Sequence, residues 1–239
     1  MANPYLSVVI PTYNEERRIV PTLTAVAEYL QGQTYTAELV VIDDGSQDAT
    51  IALVKAAAEK YPFLRLIANT KNQGKGAVVK QGMLAAKGSL RLFMDADSST
   101  PITEVSKLLA IKNKDIVIGT RVVTTKRAIT RHLLSAVSRF LIQAVVLPGI
   151  TDTQCGFKLL SAQAADTIFP LITQEGWLFD VELLVIARER NFSIAQVPVQ
   201  WTDSPHSSLR AGRAAMQSLR ELIKIRQQRA QGFYTVVKD

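Results

Sequence analysis

Between residues 6 and 121 the chain alternates short apolar runs with longer segments of helical spacing, and that alternation leaves few folds open. LSVVI, residues 6–10, stops at Pro11, and the following TYNEERRIVPTLTAVAEYL places Ile19, Leu23, Val26 and Leu30 on one helical face. AELVVID reads as a second strand, SQDATIALVKAAAEKYP as a helix that Ser46 or Asp48 can cap, and LRLIAN as a third strand. GKGAVVKQGMLAAKG supplies another helix, RLFMDAD a fourth strand and DIVIGTR a fifth. Strands that alternate with helices predict an α/β fold, a mainly parallel sheet flanked by helices, with ligands at the carboxyl ends of the strands. After Arg121 the rhythm changes: residues 128–147 have the pattern of one amphipathic helix, SIAQVPVQW reads as a late strand, and a last helix carries Ala215, Met216, Leu219, Leu222 and Ile223 on its apolar face.

Charge placement narrows the partners. The net +7 is concentrated: no acid lies between Asp115 and Asp152, while Arg121, Lys126, Arg127, Arg131 and Arg139 do, and from Arg210 to Arg229 Glu221 is the sole acid. Such one-sided patches favour phosphate groups or an anionic membrane surface. Nucleic acid is not expected, because Phe140 is the only aromatic residue in 116–151 that could stack on a base. The apolar content of 47% excludes a disordered chain. The single cysteine, Cys155, excludes an internal disulfide, and its neighbours suggest packing rather than nucleophilic work. No leader and no uncharged membrane span is read, which makes a cytoplasmic setting the expectation, peripheral on the inner face of a membrane.

Two strands end in crowded aspartates. In FMDAD, Asp95 and Asp97 are two apart and point to one side of an extended chain, where they repel unless a cation joins them. Carboxylates with open positions left for phosphates suit Mg²⁺ or Mn²⁺. At the second rim, Asp43 and Asp44 precede Gly45 and Ser46; they can accept hydrogen bonds from a nucleobase or ribose, or simply form the turn and cap the helix. Tyr13 offers an aromatic face beside them. GKG at 74–76 is not a P-loop, since Ala77 stands where Ser or Thr is needed, and PTYNEE replaces the glycine fingerprint of a dinucleotide-binding strand. Trp177 and Trp201 read as core residues, His132 and His206 as mundane ones.

SVVIPTYNEE, VVIDDGSQDAT, NQGKGAVVKQG, FMDAD and IGTR, in this order, resemble the inverting glycosyltransferases of family 2 with the GT-A fold. DTQCGFKLL, WLFDVELLVIA and VPVQWTDSPHSSL are similar to the dolichyl-phosphate glucosyltransferase branch, close to the dolichyl-phosphate mannose synthases. The resemblance implies a GT-A domain over 1–209, followed by a basic amphipathic helix and tail over 210–239. It implies that Pro11, Tyr13, Glu15, Ile42 and Asp44 hold the nucleoside, with Asp43 and Lys75 in the same donor site, and that Asp95, Ala96 and Asp97 bind the diphosphate through Mg or Mn. Arg121 then faces phosphate, and Arg131 and Ser135 meet the acceptor phosphate. Ser208 stands where the family has a lysine, leaving Arg210 as the substitute.

The implied partners are a nucleotide sugar, UDP-glucose or GDP-mannose, and a polyprenyl phosphate in a membrane, reached through the 128–147 helix or the basic C-terminal helix. A polyprenyl monophosphate, with a second pKa of about 6, is already largely dianionic near neutrality and needs no strong general base. An alcohol acceptor would need one, and Asp152 is then the first candidate, with Asp180 a further acid for sugar hydroxyls or helix positioning. A family 2 enzyme with a soluble or saccharide acceptor, a nucleotidyltransferase and a non-catalytic phosphate- or membrane-binding module are the competing readings.

Overall fold

The computed structural model describes residues 3–123, 147–202 and 211–235, apart from the side chains of 123 and 211–219. Its first half follows the alternation in the sequence: β1 (Leu6–Thr12), α1 (Ile19–Gln31), β2 (Ala37–Asp43), α2 (Thr50–Lys60), β3 (Leu64–Ala68), α3 (Lys75–Ala85) and β4 (Leu90–Met94). A short α4 (Val105–Leu109) precedes β5 (Ile116–Val123); then come β6 (Phe157–Ser161), α5 (Ala162–Ile168), α6 (Phe179–Glu189), β7 (Ile194–Trp201) and α7 (Ala211–Ala230).

The sheet order is β3-β2-β1-β4-β6-β5-β7. β1 pairs in parallel with β2 and β4, β2 with β3, and β5 with β7, whereas β6 runs antiparallel between β4 and β5. β1, β2, β4 and β5 therefore point the same way, and their carboxyl ends share one rim. The chain leaves β1 for β2 on one side and returns to β4 on the other, which makes that rim the switch point where an open α/β sheet binds ligands.

Strand residues alternate between two cores. Leu6, Val8 and Ile10 of β1 pack with Ile19, Leu23 and Val26 of α1, while Val9 belongs to the opposite layer with Val78, Val79 and Met83 of α3 and Phe179 and Leu183 of α6. All four α1 positions singled out by spacing are buried. Gly82 brings α3 close to the sheet: a Cβ there would stand 2.3 Å from Ile42 Cδ1.

Two expectations are corrected. Ile223 is 50% exposed, and Ile225 is the isoleucine that α7 buries, three residues after the half-buried Leu222 and so on its face. Trp177 is 49% exposed rather than core, while Trp201 is partly buried at the end of β7. The predicted helix at 128–147 lies outside the described residues, Leu147 excepted.

Candidate active site

The turns after β1 and β2 interlock through their own polar groups. Asn14 N–H donates to Ser46 Oγ (2.8 Å), Gln47 N–H to Asn14 Oδ1 (2.9 Å), Glu15 N–H to Thr50 Oγ1 (2.8 Å) and Glu16 N–H to Asp48 Oδ2 (3.1 Å). Asp48 also accepts from Thr50 N–H (3.0 Å) just ahead of α2. This lattice leaves Tyr13 45% exposed at the rim, while Pro11 and Ile42 are buried beneath it.

Asp43 is fully buried, and its oxygens accept from Ser46 N–H (2.8 Å), Ser46 Oγ (2.5 Å) and Thr12 Oγ1 (3.1 Å), so its bonds lie inside the turn. Asp44 accepts from Gln73 N–H (2.6 Å) and Gly74 N–H (3.0 Å), tying the approach to α3 against β2. Gly74, at φ 100°, and Gly76 allow the chain at 174–175 to close on this turn; a Cβ on either would stand within 2.5 Å of a carbonyl oxygen there. Gly76 N–H donates to Glu175 O (2.7 Å). Lys75 between them emerges at the rim, with Nζ 2.6 Å from Asp95 Oδ1 and 4.9 Å from the centre of the Trp177 ring. Burial disfavours the Lys75 ammonium, and the charges of Asp95 and Asp180 outweigh it, raising the amine above its ordinary value.

Asp95 directly follows β4, and Asp97 lies in the turn beyond it rather than on an extended chain, with both carboxylates at the rim. Asp95 N–H donates to Gly156 O (3.2 Å), and a Cβ on Gly156 would lie 2.0 Å from Asp95 Oδ2, so Gly156, just ahead of β6, forms a wall on which any side chain would displace the Asp95 carboxylate. Ala96 O accepts from Thr22 Oγ1 (2.7 Å), and Asp97 Oδ1 accepts from Ser99 N–H (3.0 Å). Asp97 Oδ2 is 3.9 Å from Arg18 Nη1, whose guanidinium grips Glu15 through Nε–Oε2 and Nη2–Oε1, both 2.7 Å. Burial raises the Glu15 carboxyl; Arg18 opposes this, and the nearby Asp97 and Asp95 charges add to it. No group of three histidines, cysteines or acids among the described residues could enclose a cation. Two carboxylates, already attended by the cationic Lys75 and Arg18, fit a divalent ion that keeps positions for water and phosphate oxygens.

Arg121, near the end of β5, forks onto Asp152: Nε–Oδ2 is 2.7 Å and Nη2–Oδ1 2.8 Å, with the Arg121 amide on Oδ2 at 3.1 Å. Its guanidinium carbon lies 5.6 Å from the Trp201 ring centre. Burial alone would raise the Asp152 carboxyl, but the Arg121 hydrogen bonds and charge prevail and hold it below the usual carboxylate range. Behind this layer Lys158 of β6 is fully buried, with Nζ 2.6 Å from both Asp180 Oδ1 and Cys155 O. Burial raises the Asp180 carboxyl despite the adjacent Lys158. The Cys155 thiol is also buried and pushed up to about 12 by desolvation, unsuited to nucleophilic attack.

The fold thus gathers Tyr13, Glu15, Asp44, Lys75, Asp95, Ala96, Asp97, Arg121 and Asp152 along one rim. Arg131, Ser135 and Arg210 lie outside the described residues. Arg18, Lys158 and Trp177 were not singled out as site residues. Arg18 falls three positions after Glu15, within reach of one helical turn, but nothing in sequence ties Lys158 to Asp180 or Trp177 to Lys75.

This rim, on a seven-stranded mostly parallel sheet, is the layout of a GT-A glycosyltransferase. The solved glucosyl-3-phosphoglycerate synthase of Mycobacterium tuberculosis, in complex with Mn²⁺, UDP-glucose and phosphoglyceric acid, superposes with a TM-score of 0.69 at 21% identity, covering 93% of this chain and 79% of that one. The chain belongs to glycosyl transferase family 2, whose pattern residues 7–169 match. It is 35% identical over 243 residues to the dolichyl-phosphate beta-glucosyltransferase of Dictyostelium discoideum, covering 94% of this chain and 74% of that protein. It is 33% identical over 255 residues to the Saccharomyces cerevisiae protein of the same name, covering 96% and 76%.

Proposed function

We propose that the chain transfers glucose from UDP-glucose to the phosphate of a dolichyl-type polyprenyl lipid, with inversion at the sugar carbon. The relatives' names support the sugar and the lipid, and the rim supports a diphosphate donor. The observation that carries the acceptor class is the Arg121–Asp152 fork. Both oxygens of Asp152 are engaged, and its carboxyl is held below the usual range, which makes it a poor proton acceptor. An acceptor that arrives ionised needs no such base. A phosphate oxygen of the lipid attacks the anomeric carbon, the bond from that carbon to the diphosphate breaks, and UDP departs with the electron pair.

The residues then have separate work. Tyr13 offers its exposed ring to the base, and Glu15, oriented by Arg18, presents a carboxylate edge beside it. Asp95 and Asp97 would hold Mg²⁺ or Mn²⁺, which when bound supplies positive charge to the leaving diphosphate. Arg121, fixed by Asp152 and lying against Trp201, keeps a cation facing the incoming phosphate, with Arg131 and Ser135 as further acceptor contacts. No helix among the described residues is long and apolar enough to cross a membrane. Lipid contact is assigned to the 128–147 segment and to α7, whose outer face exposes Arg220, Ile223, Lys224 and Gln227 at helical spacing. The cytoplasmic leaflet, being anionic, suits that basic face.

The test is transfer of label from UDP-[¹⁴C]glucose with Mn²⁺ to vesicles containing dolichyl phosphate. Label should enter the organic phase; label confined to water-soluble products would refute the lipid acceptor.

A further inference from the structure

We propose that Lys75 is a built-in cation that occupies Asp95 until a divalent metal ion takes its place, and that the displaced ammonium then passes to the donor's diphosphate. The inference rests on the metal and diphosphate reading of the rim. Lys75 Nζ makes a contact ion pair with Asp95 Oδ1 at 2.6 Å, whereas among the described residues the cation paired with Asp97, Arg18, stands 3.9 Å away. A metal ion binds a carboxylate oxygen at about 2.1 Å and an ammonium crowding the same oxygen would repel it, so the two compete for Asp95 rather than Asp97.

The surroundings give the displaced side chain a path. Gly74 and Gly76 pin the backbone of Lys75 against Glu175, so the four-carbon stem is the moving part. The face of the half-exposed Trp177, 4.9 Å from Nζ, offers a second resting place for the charge. Asp180, the next acid to influence Lys75, is already taken by Lys158 at 2.6 Å. Once a metal holds Asp95, the ammonium is in demand of an anion, and the diphosphate brings one. Metal and nucleotide must then strengthen each other's binding, reciprocally.

Mn²⁺ binding to the full chain, measured by electron paramagnetic resonance with and without UDP, tests this. Lys75→Met should bind Mn²⁺ alone about five- to tenfold more tightly than wild type, and UDP should enhance Mn²⁺ binding by a correspondingly smaller factor. Mg²⁺, which does not quench, should shift Trp177 emission in wild type and leave it unmoved in Lys75→Met. If Mn²⁺ binding is abolished by Asp95→Asn yet unaltered or weakened by Lys75→Met, the competition is refuted while the metal site stands. Mn²⁺ binding that survives Asp95→Asn overturns the metal reading and this inference with it.

Discussion

Arg121 and Asp152 form a two-pronged ion pair, 2.7 and 2.8 Å, with the guanidinium 19% and the carboxylate 10% exposed. Removing one partner of such a pair strands the other charge. Asp152→Ala should therefore cost about 3 kcal/mol near neutrality, read by urea unfolding. The pH dependence has a definite sign. Asp152 titrates lower in the folded chain than its unfolded value of about 3.9, so its contribution is complete above that value and disappears as pH falls through the folded one. The stability gap between wild type and Asp152→Ala should be flat from neutrality down to about pH 5 and close below about pH 4. A gap that widens on acidification contradicts the pairing.

If the acceptor supplies its own ionised oxygen, the acid limb of kcat/KM belongs to the lipid phosphate, with its second ionisation at about 6. Asp152→Asn should then lower the rate by disturbing Arg121 without moving that limb. A limb that shifts or vanishes in the variant would assign the proton to Asp152 and reinstate an alcohol acceptor.

Gly156 presses on Asp95 so closely that Gly156→Ala must push the carboxylate aside. The predicted outcome is a 10- to 100-fold loss of Mn²⁺ affinity with a stability loss of only about 1–3 kcal/mol, measured by metal titration and thermal unfolding. Gly82→Ala, which collides with Ile42 Cδ1 inside the core, should cost stability of similar size while sparing metal affinity. Equal effects of both variants on the metal would remove Gly156 from the site.

The sequence made visible what local pattern encodes. Strands with β-rich apolar runs, the α1 face at 19, 23, 26 and 30, and the aspartates closing β2 and β4 all follow from nearest neighbours along the chain. β6 was not legible as a strand, because FKLLS is five residues without alternation and its place between β4 and β5 is set by antiparallel partners more than thirty residues away. Its lysine reads as a surface residue until Asp180, 22 positions on, is folded against it. Trp177 was misread for the converse reason: its apolar neighbours Leu178 and Phe179 are buried, but it sits just before α6 and turns outward over Lys75. Ile223 and Ile225 show how a two-residue shift on a helix exchanges the buried and exposed faces.

The C-terminal helix is fastened by a polar lock at Glu182, which is fully buried and accepts from Thr173 N–H and Oγ1 (both 2.9 Å), Gln174 N–H (2.7 Å) and Tyr234 Oη (2.7 Å). Tyr234→Phe removes one donor and leaves Glu182 otherwise satisfied, so the cost should be about 1 kcal/mol. Glu182→Ala strands several donors at once and should cost about 3 kcal/mol or more. Equal losses in the two variants, measured by urea unfolding, would mean that Glu182 serves only the tail.

Lys158 and Asp180 offer a way to separate stability from positioning. Lys158→Met leaves a carboxylate buried without its partner and should cost about 3–5 kcal/mol, whereas Lys158→Met with Asp180→Leu replaces the pair by apolar groups and should recover most of that loss. Catalysis should not recover with it. Lys158 Nζ also holds Cys155 O, one residue before the glycine that walls Asp95, and neither methionine nor leucine can make that bond. The double variant should therefore unfold near the wild-type urea midpoint while its kcat remains depressed and its KM for acceptor stays little changed. Recovery of kcat alongside stability would reduce the pair to a core element with no hand in placing Asp95.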